Sequence, residues 1–123
     1  MGIRSDVFVA LKKELVEKLP EKYDKMLREE YRAEVLEHAE GRAYFMEYVK
    51  WYAHNDAELV EFYEWLDGNE AMDQHLVIEA CHDFPESTDG DAGDWNNNPW
   101  GACRYVRAGI EFDRNPKSKE ASP

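Results

Sequence analysis

The sequence predicts one small α+β domain, a mostly antiparallel sheet of four to five strands with two main helices on one face. Three observations carry this. An unbroken apolar run, Val7, Phe8, Val9 and Ala10, lies near the start of the chain; two stretches repeat apolar residues every three to four positions; and later stretches alternate or concentrate β-branched and aromatic residues. The 123 residues leave room for one core, burying about two-thirds of the surface an extended chain exposes. Their 43% hydrophobic content, with 4 Trp, 7 Tyr and 5 Phe, offsets the entropy of ordering and excludes a disordered chain. The domain is assigned to residues 1–113, and the polar segment 114–123 to a flexible C-terminal tail.

Taken in order, residues 3–11 form the first strand, because four apolar residues in a row suit a strand covered on both faces. The period then changes. Leu15 and Leu19, then Tyr23, Leu27 and Tyr31, are spaced by four and make one apolar stripe over residues 12–32. Pro20 lacks an N–H and so breaks that helix, opening its second segment. Residues 34–38 and 42–52 read as a hairpin turning at Ala39, Glu40 and Gly41, the longer arm carrying Tyr44, Phe45, Tyr48 and Trp51. From Asn55, taken as a cap with Glu58 three residues on, Leu59, Phe62, Tyr63 and Leu66 mark a second helix that Gly68 closes. Residues 75–82 and 102–112 read as strands, the latter because Val106, Ala108, Ile110 and Phe112 alternate with polar or small residues, and a loop of nineteen residues, 83–101, joins them.

The formal charge is −12, which sets nucleic acid and anionic membrane aside as direct ligands and favours cationic partners. Its distribution is uneven. Residues 34–94 hold seventeen acids against Arg42 and Lys50 alone, while both flanks are near neutral. In the first helix the signs mix, as in Glu14 with Lys18 and Asp24 with Arg28, so its net field is small. The second helix differs. Asp56, Glu58, Glu61, Glu64 and Asp67, followed by Glu70 and Asp73, form a row with no lysine or arginine between residues 51 and 103. Such a row either keeps a small protein soluble or presents phosphate-like charge to a basic, nucleic-acid-binding surface of another protein.

The loop adds Asp89, Asp91 and Asp94, with Trp95 and Trp100 beside three asparagines. The tryptophans either pin the loop to the domain or anchor an interface. An EF-hand reading fails, because Trp100 stands where the closing acid belongs. Cys81 and His82 point to opposite faces of a strand and cannot act as nucleophile and base. His75, Cys81, His82 and Cys103 lack paired zinc-ligand spacing, and no phosphate loop or nucleophile elbow occurs. The expectation is a non-enzyme with no cofactor and no metal. With no secretory signal, no membrane span and two free thiols, the cytoplasm is the expected compartment.

Ile3-Arg4-Ser5-Asp6-Val7, together with Val49-Lys50-Trp51-Tyr52 before a helix whose core is Phe62 and Leu66, resembles small acidic accessory proteins of tailed bacteriophages. The resemblance touches about half the chain and carries over no site residue. It implies a non-enzymatic phage protein acting in the host cytoplasm, of the kind that inhibits CRISPR complexes, restriction enzymes or DNA-handling machinery. The leading expectation is therefore an inhibitor that mimics DNA and competitively occludes a basic host protein. Its partner-binding residues are Asp56, Glu58, Glu61, Glu64, Asp67, Glu70, Asp73, Asp89, Asp91, Asp94, Trp95 and Trp100. Direct nucleic acid and membrane are excluded as partners, and a homodimer is compatible with the reading. Two alternatives remain: an assembly module docking through Tyr44, Tyr48, Trp95 and Trp100, and an immunity or antitoxin partner of a basic toxin.

Overall fold

The computed structural model describes residues 2–68, 72–105 and 109–116. Its organising element is β1 (Ser5–Lys12), whose residues Val7 to Leu11 are fully buried. Successive side chains of a strand face opposite ways, so an unbroken apolar run demands cover on both sides. Antiparallel neighbours, β3 (Gly41–Val49) and β4 (His75–Cys81), flank β1, and β2 (Glu34–His38) and the two-residue β5 (Ala92–Gly93) complete the order β2-β3-β1-β4-β5. This is a small α+β domain with a five-stranded antiparallel sheet, and the hairpin predicted at 34–38 is β2 with β3, Leu36 opposite Ala43. At the hairpin turn a side chain on Gly41 would run into the Leu11 carbonyl oxygen, so only glycine fits there.

One face of the sheet, with Val7, Val9, Leu11, Tyr44, Met46 and Val77, receives the helices. Pro20 interrupts the first of these as predicted: α1 (Lys13–Lys18) ends before it, and α2 (Glu21–Lys25) follows, continuing through a wider π-type turn to Glu30. Together they supply Leu15, Tyr23, Met26 and Leu27, and α3 (Ala57–Gly68) supplies Leu59, Phe62 and Leu66. A polar network fastens α2 to the sheet. Tyr44 donates its hydroxyl to Asp24 at 2.5 Å, Arg28 donates to the same carboxylate at 2.8 Å, and Arg42 lies between Asp24 and Glu37. Burial works against the Asp24 charge, but the bonds from Tyr44 and Arg28 outweigh it and hold its carboxyl below the usual range.

The other face, with Phe8, Ala10, Ala43, Leu76 and Ile78, is covered by the loop and the end of the chain. Two expectations are corrected here. Residues 102–112 are not one strand: β6 (Cys103–Tyr105) and β7 (Gly109–Glu111) pair with each other, Cys103 opposite Glu111, and Val106 and Ala108 lie outside the described residues. The alternation that suggests one strand comes from a ribbon that lays Ile110 and Phe112 over the apolar sheet face, the Phe112 ring packing at a tilt against Phe8 and Phe45. Nor is 83–101 only a loop. It contributes β5, at whose Gly93 the backbone takes φ 73° against the His75 carbonyl, and it sends Trp95 and Trp100 into the core. Arg114, assigned by sequence to the tail, bonds Glu34 at 2.8 Å and lies over the Phe112 ring, and residues 117–123 lie outside the described set.

Trp100 is 1% exposed and packs edge-on against Phe8 and Trp95, and its indole N–H has no hydrogen-bond acceptor among the described residues. Trp100→Ala is expected to cost about 3–5 kcal/mol in urea unfolding. Trp100→Phe should recover most of that loss, since it keeps a ring and removes a buried donor whose desolvation costs about 1–3 kcal/mol.

Candidate functional site: the acidic side of the third helix

The site begins at the cap of α3. Asp56, one position after the Asn55 predicted from sequence, accepts the N–H of Glu58 at 3.0 Å and of Leu59 at 3.3 Å. Asn55 and Asp56 instead donate their own N–H groups to the Tyr52 carbonyl, a turn that brings the Asp56 carboxylate to the helix N-terminus, where negative charge is favoured. From Glu58 acids recur every three residues, at Glu61, Glu64 and Asp67. Three residues fall about 60° short of a full turn, so the row drifts across the exposed side of the helix, from the flank beside α2 toward the flank carrying Tyr63.

The members of that row are not equivalent. Glu58 is exposed and faces another carboxylate, Glu30, at the end of the first helical pair. The Glu30 charge, slight burial and the Asp56 charge together push the Glu58 carboxyl above its usual value. Glu61 is spoken for: Lys22 Nζ bonds its carboxylate and Tyr23 donates its hydroxyl at 2.9 Å, holding the Glu61 carboxyl low. Glu64 and Asp67 are exposed and have no ion-pair partner among the described residues, and Asp73 is exposed in a short 3₁₀ turn, Met72–Gln74. Glu70 lies outside the described residues.

Loop and helix are joined through Tyr63, which donates its hydroxyl to the Gly90 carbonyl and accepts the Trp51 indole N–H at 2.9 Å. Burial raises the Tyr63 hydroxyl well above its ordinary value, so it stays a donor. The loop acids again divide. Asp91 is held structurally, by Arg104 and by the Glu79 N–H at 2.9 Å. Asp89 is exposed, its carbonyl 3.1 Å from His54 Nε2, and Asp94 is exposed. Beneath them Glu79 is half-buried and accepts the Ser5 hydroxyl at 2.7 Å; burial, only partly offset by that bond, raises its carboxyl.

Trp95 and Trp100, placed among the partner-binding residues by sequence, are corrected: both are buried. Asn98 closes the loop over them, donating to the Trp95 carbonyl and accepting the Ala102 N–H, each at 3.0 Å. Tyr44 is buried too, which leaves Tyr48 as the one exposed member of the aromatic set considered for docking. Two residues escaped the sequence reading: Glu30, which adds to the site, and Lys22, which subtracts from it. Both sit on the helical segment set aside for its mixed charges, and only the packing of α2 beside α3 reveals them.

No family model, no curated protein and no solved structure matches the chain. Among the described residues no helix is long and apolar enough to cross a membrane, and no group of three or more His, Cys, Asp or Glu side chains is placed to hold a metal ion.

Glu58 and Glu79 have raised carboxyls, so the folded chain binds these protons more tightly than the unfolded chain, whose glutamates titrate near about 4.3. Stability is therefore expected to rise as pH falls from neutral through the folded values. Nearer the unfolded value of aspartate, about 3.9, protonation of Asp24, whose folded carboxyl is depressed, reverses the trend. Glu58→Gln should raise the urea midpoint at pH 7 and shrink the gain between neutral and about pH 5. An unchanged gain in that variant would assign it to Glu79 alone.

Proposed function

We propose that this protein is a binding protein that occludes the basic, nucleic-acid-binding surface of a partner protein, in the manner of phage-type inhibitors of host defence or DNA-handling complexes. The observation that carries the reading is the standing repulsion at Glu58. Its carboxylate faces Glu30 and Asp56 with no cation bonded to it. A helix selected only for stability gains a few tenths of a kcal/mol from each opposite-charge pair at i,i+4, and this one forgoes them. A cationic surface relieves the repulsion on binding, so part of the affinity is stored in the free protein. Glu64, Asp67, Asp73, Asp89 and Asp94 are further exposed acids of α3 and of the segments after it, and the Tyr63 bond to the Gly90 carbonyl ties α3 to the loop.

The competing idea of an assembly module that docks through its aromatic residues loses support from the burial of Tyr44, Trp95 and Trp100. An immunity protein for a basic toxin uses the same surface chemistry and differs only in the partner.

The test is capture from bacterial lysate at low and high salt. The triple reversal Glu58→Lys, Glu64→Lys and Asp67→Lys avoids Glu61, whose bonds to Lys22 and Tyr23 hold α3 to α2. Retained partners should be basic and nucleic-acid-binding, a duplex oligonucleotide should compete for them, and the triple reversal should lower affinity at least about 100-fold without lowering the melting temperature. A complex that persists at about 1 M salt, where screening acts within about 3 Å, overturns the charge-based mechanism.

A further inference from the structure

Six arginines are described, and four of them hold carboxylates: Arg28 and Arg42 on Asp24, Arg104 on Asp91, and Arg114 on Glu34. The two that hold none, Arg4 and Arg32, line one groove of about 610 Å³, together with Lys50, which also has no ion-pair partner among the described residues. In a chain of charge −12 this gathering is unexpected.

The backbone singles out the same place. Two non-glycine residues among those described have positive φ, Arg32 at 54° and Tyr48 at 55°, and both line this groove. Arg32 sits just past the helix end, where Ala33 N–H donates to the Leu27 carbonyl at 2.9 Å, a position that glycine fills without strain. Tyr48 sits in a bulge: β3 spends three steps between Met46 and Val49 while β1 spends two between Val7 and Ser5, and Asp6 accepts the Tyr48 N–H at 2.9 Å. The bulge turns the Tyr48 ring outward, 60% exposed, with the Arg4 guanidinium 5.3 Å from its centre. A second depression of about 440 Å³ shares Arg4 and Tyr48 and adds Ile3 and Phe84, so the exposed large hydrophobic residues of the described chain all meet here.

We propose that this groove binds a small phosphorylated ligand with a planar ring, of the nucleoside monophosphate class. Arg4, Arg32 and Lys50 take the phosphate, since guanidinium forks match phosphate oxygens. The ring lies against the step formed by Arg4, Tyr48 and Phe84, since aromatic faces and guanidinium planes both stack on bases. Volumes of this size suit such a ligand. Glu30, Glu34 and Glu47 line the same groove, Glu34 already held by Arg114, and with the charge of the whole chain they oppose an extended polyphosphate strand and leave a single small anion.

The test is an NMR titration of the full, isotope-labelled chain with adenosine 5′-monophosphate, adenosine and inorganic phosphate in parallel. The nucleotide should give saturable shifts at Arg4, Arg32, Tyr48 and Lys50, and each half alone should give weaker ones. Arg32→Gly removes a cation where glycine is unstrained, so its melting temperature should hold or rise while nucleotide affinity falls about tenfold or more. Arg4→Gln should weaken binding similarly. Absence of saturable shifts in the millimolar range, shifts on the lysines of α1 instead, or Arg32→Gly binding as tightly as the parent overturns the proposal. A glutamate-rich peptide that shifts these amides more strongly than the nucleotide overturns the ligand class.

Discussion

The structure depends on the double burial of β1. Val7, Val9 and Leu11 face the helices, Phe8 and Ala10 face the loop and ribbon, and all five are fully buried. Removing either layer would expose aliphatic and aromatic area worth about 25 cal/mol per Å². Each layer therefore exists because the other side of the same strand is already occupied. The helical layer is built from regular elements that supply their own backbone hydrogen bonds. The second layer is irregular, and it holds its shape through Asn98, the Arg104 bonds to Asp91 and to the Glu79 carbonyl, and the two buried tryptophans.

This asymmetry explains which parts of the fold were legible in the sequence. Elements on the helical side carry a period, 3.6 or 2, and a stop signal such as Pro20 or Gly41, and they were placed to within a few residues. The second layer carries no period. In 83–101 the chain is polar because its backbone runs over the surface, and nothing local says that Trp95 and Trp100 turn inward. That follows only from the face of β1 they must cover. The same blindness split residues 102–112, where alternation marks a buried edge but not the reversal of direction that lets Ile110 and Phe112 reach Phe8 and Phe45.

For the candidate site, the sequence identified the carboxylates and their spacing but could not sort them. A helical row of acids looks uniform when written out. In three dimensions Asp56 is a cap, Glu61 belongs to Lys22 and Tyr23, Asp91 belongs to Arg104, and Glu58 meets Glu30 from a segment about thirty residues away. Each assignment depends on which element packs beside α3, a tertiary fact with no local signature.

Pairing also changes where the negative charge finally lies. Residues 34–94 contain only Arg42 and Lys50 as cations, so beyond the Arg42–Glu37 pair neutralisation has to come from the flanks. Lys22 reaches Glu61, Arg104 reaches Asp91 and Arg114 reaches Glu34. These pairs fasten the ends of the chain to its middle, and they spare Glu58, Glu64, Asp67, Asp73, Asp89 and Asp94. Exposed pairs are worth at most about 1 kcal/mol each, so stability alone gives little reason to complete or withhold them. What they decide is the shape of the field: folding leaves Glu58, Glu64 and Asp67 uncompensated along α3, and Asp89 and Asp94 uncompensated in the loop. Arg4, Arg32 and Lys50, which border the acids of α3 through Glu30, hold no carboxylate among the described residues around Tyr48, in a groove that Glu34 and Glu47 also line. Screening confines each field to about 10 Å at 0.1 M salt, so the cations of this groove act on a ligand locally even though the chain as a whole is strongly anionic.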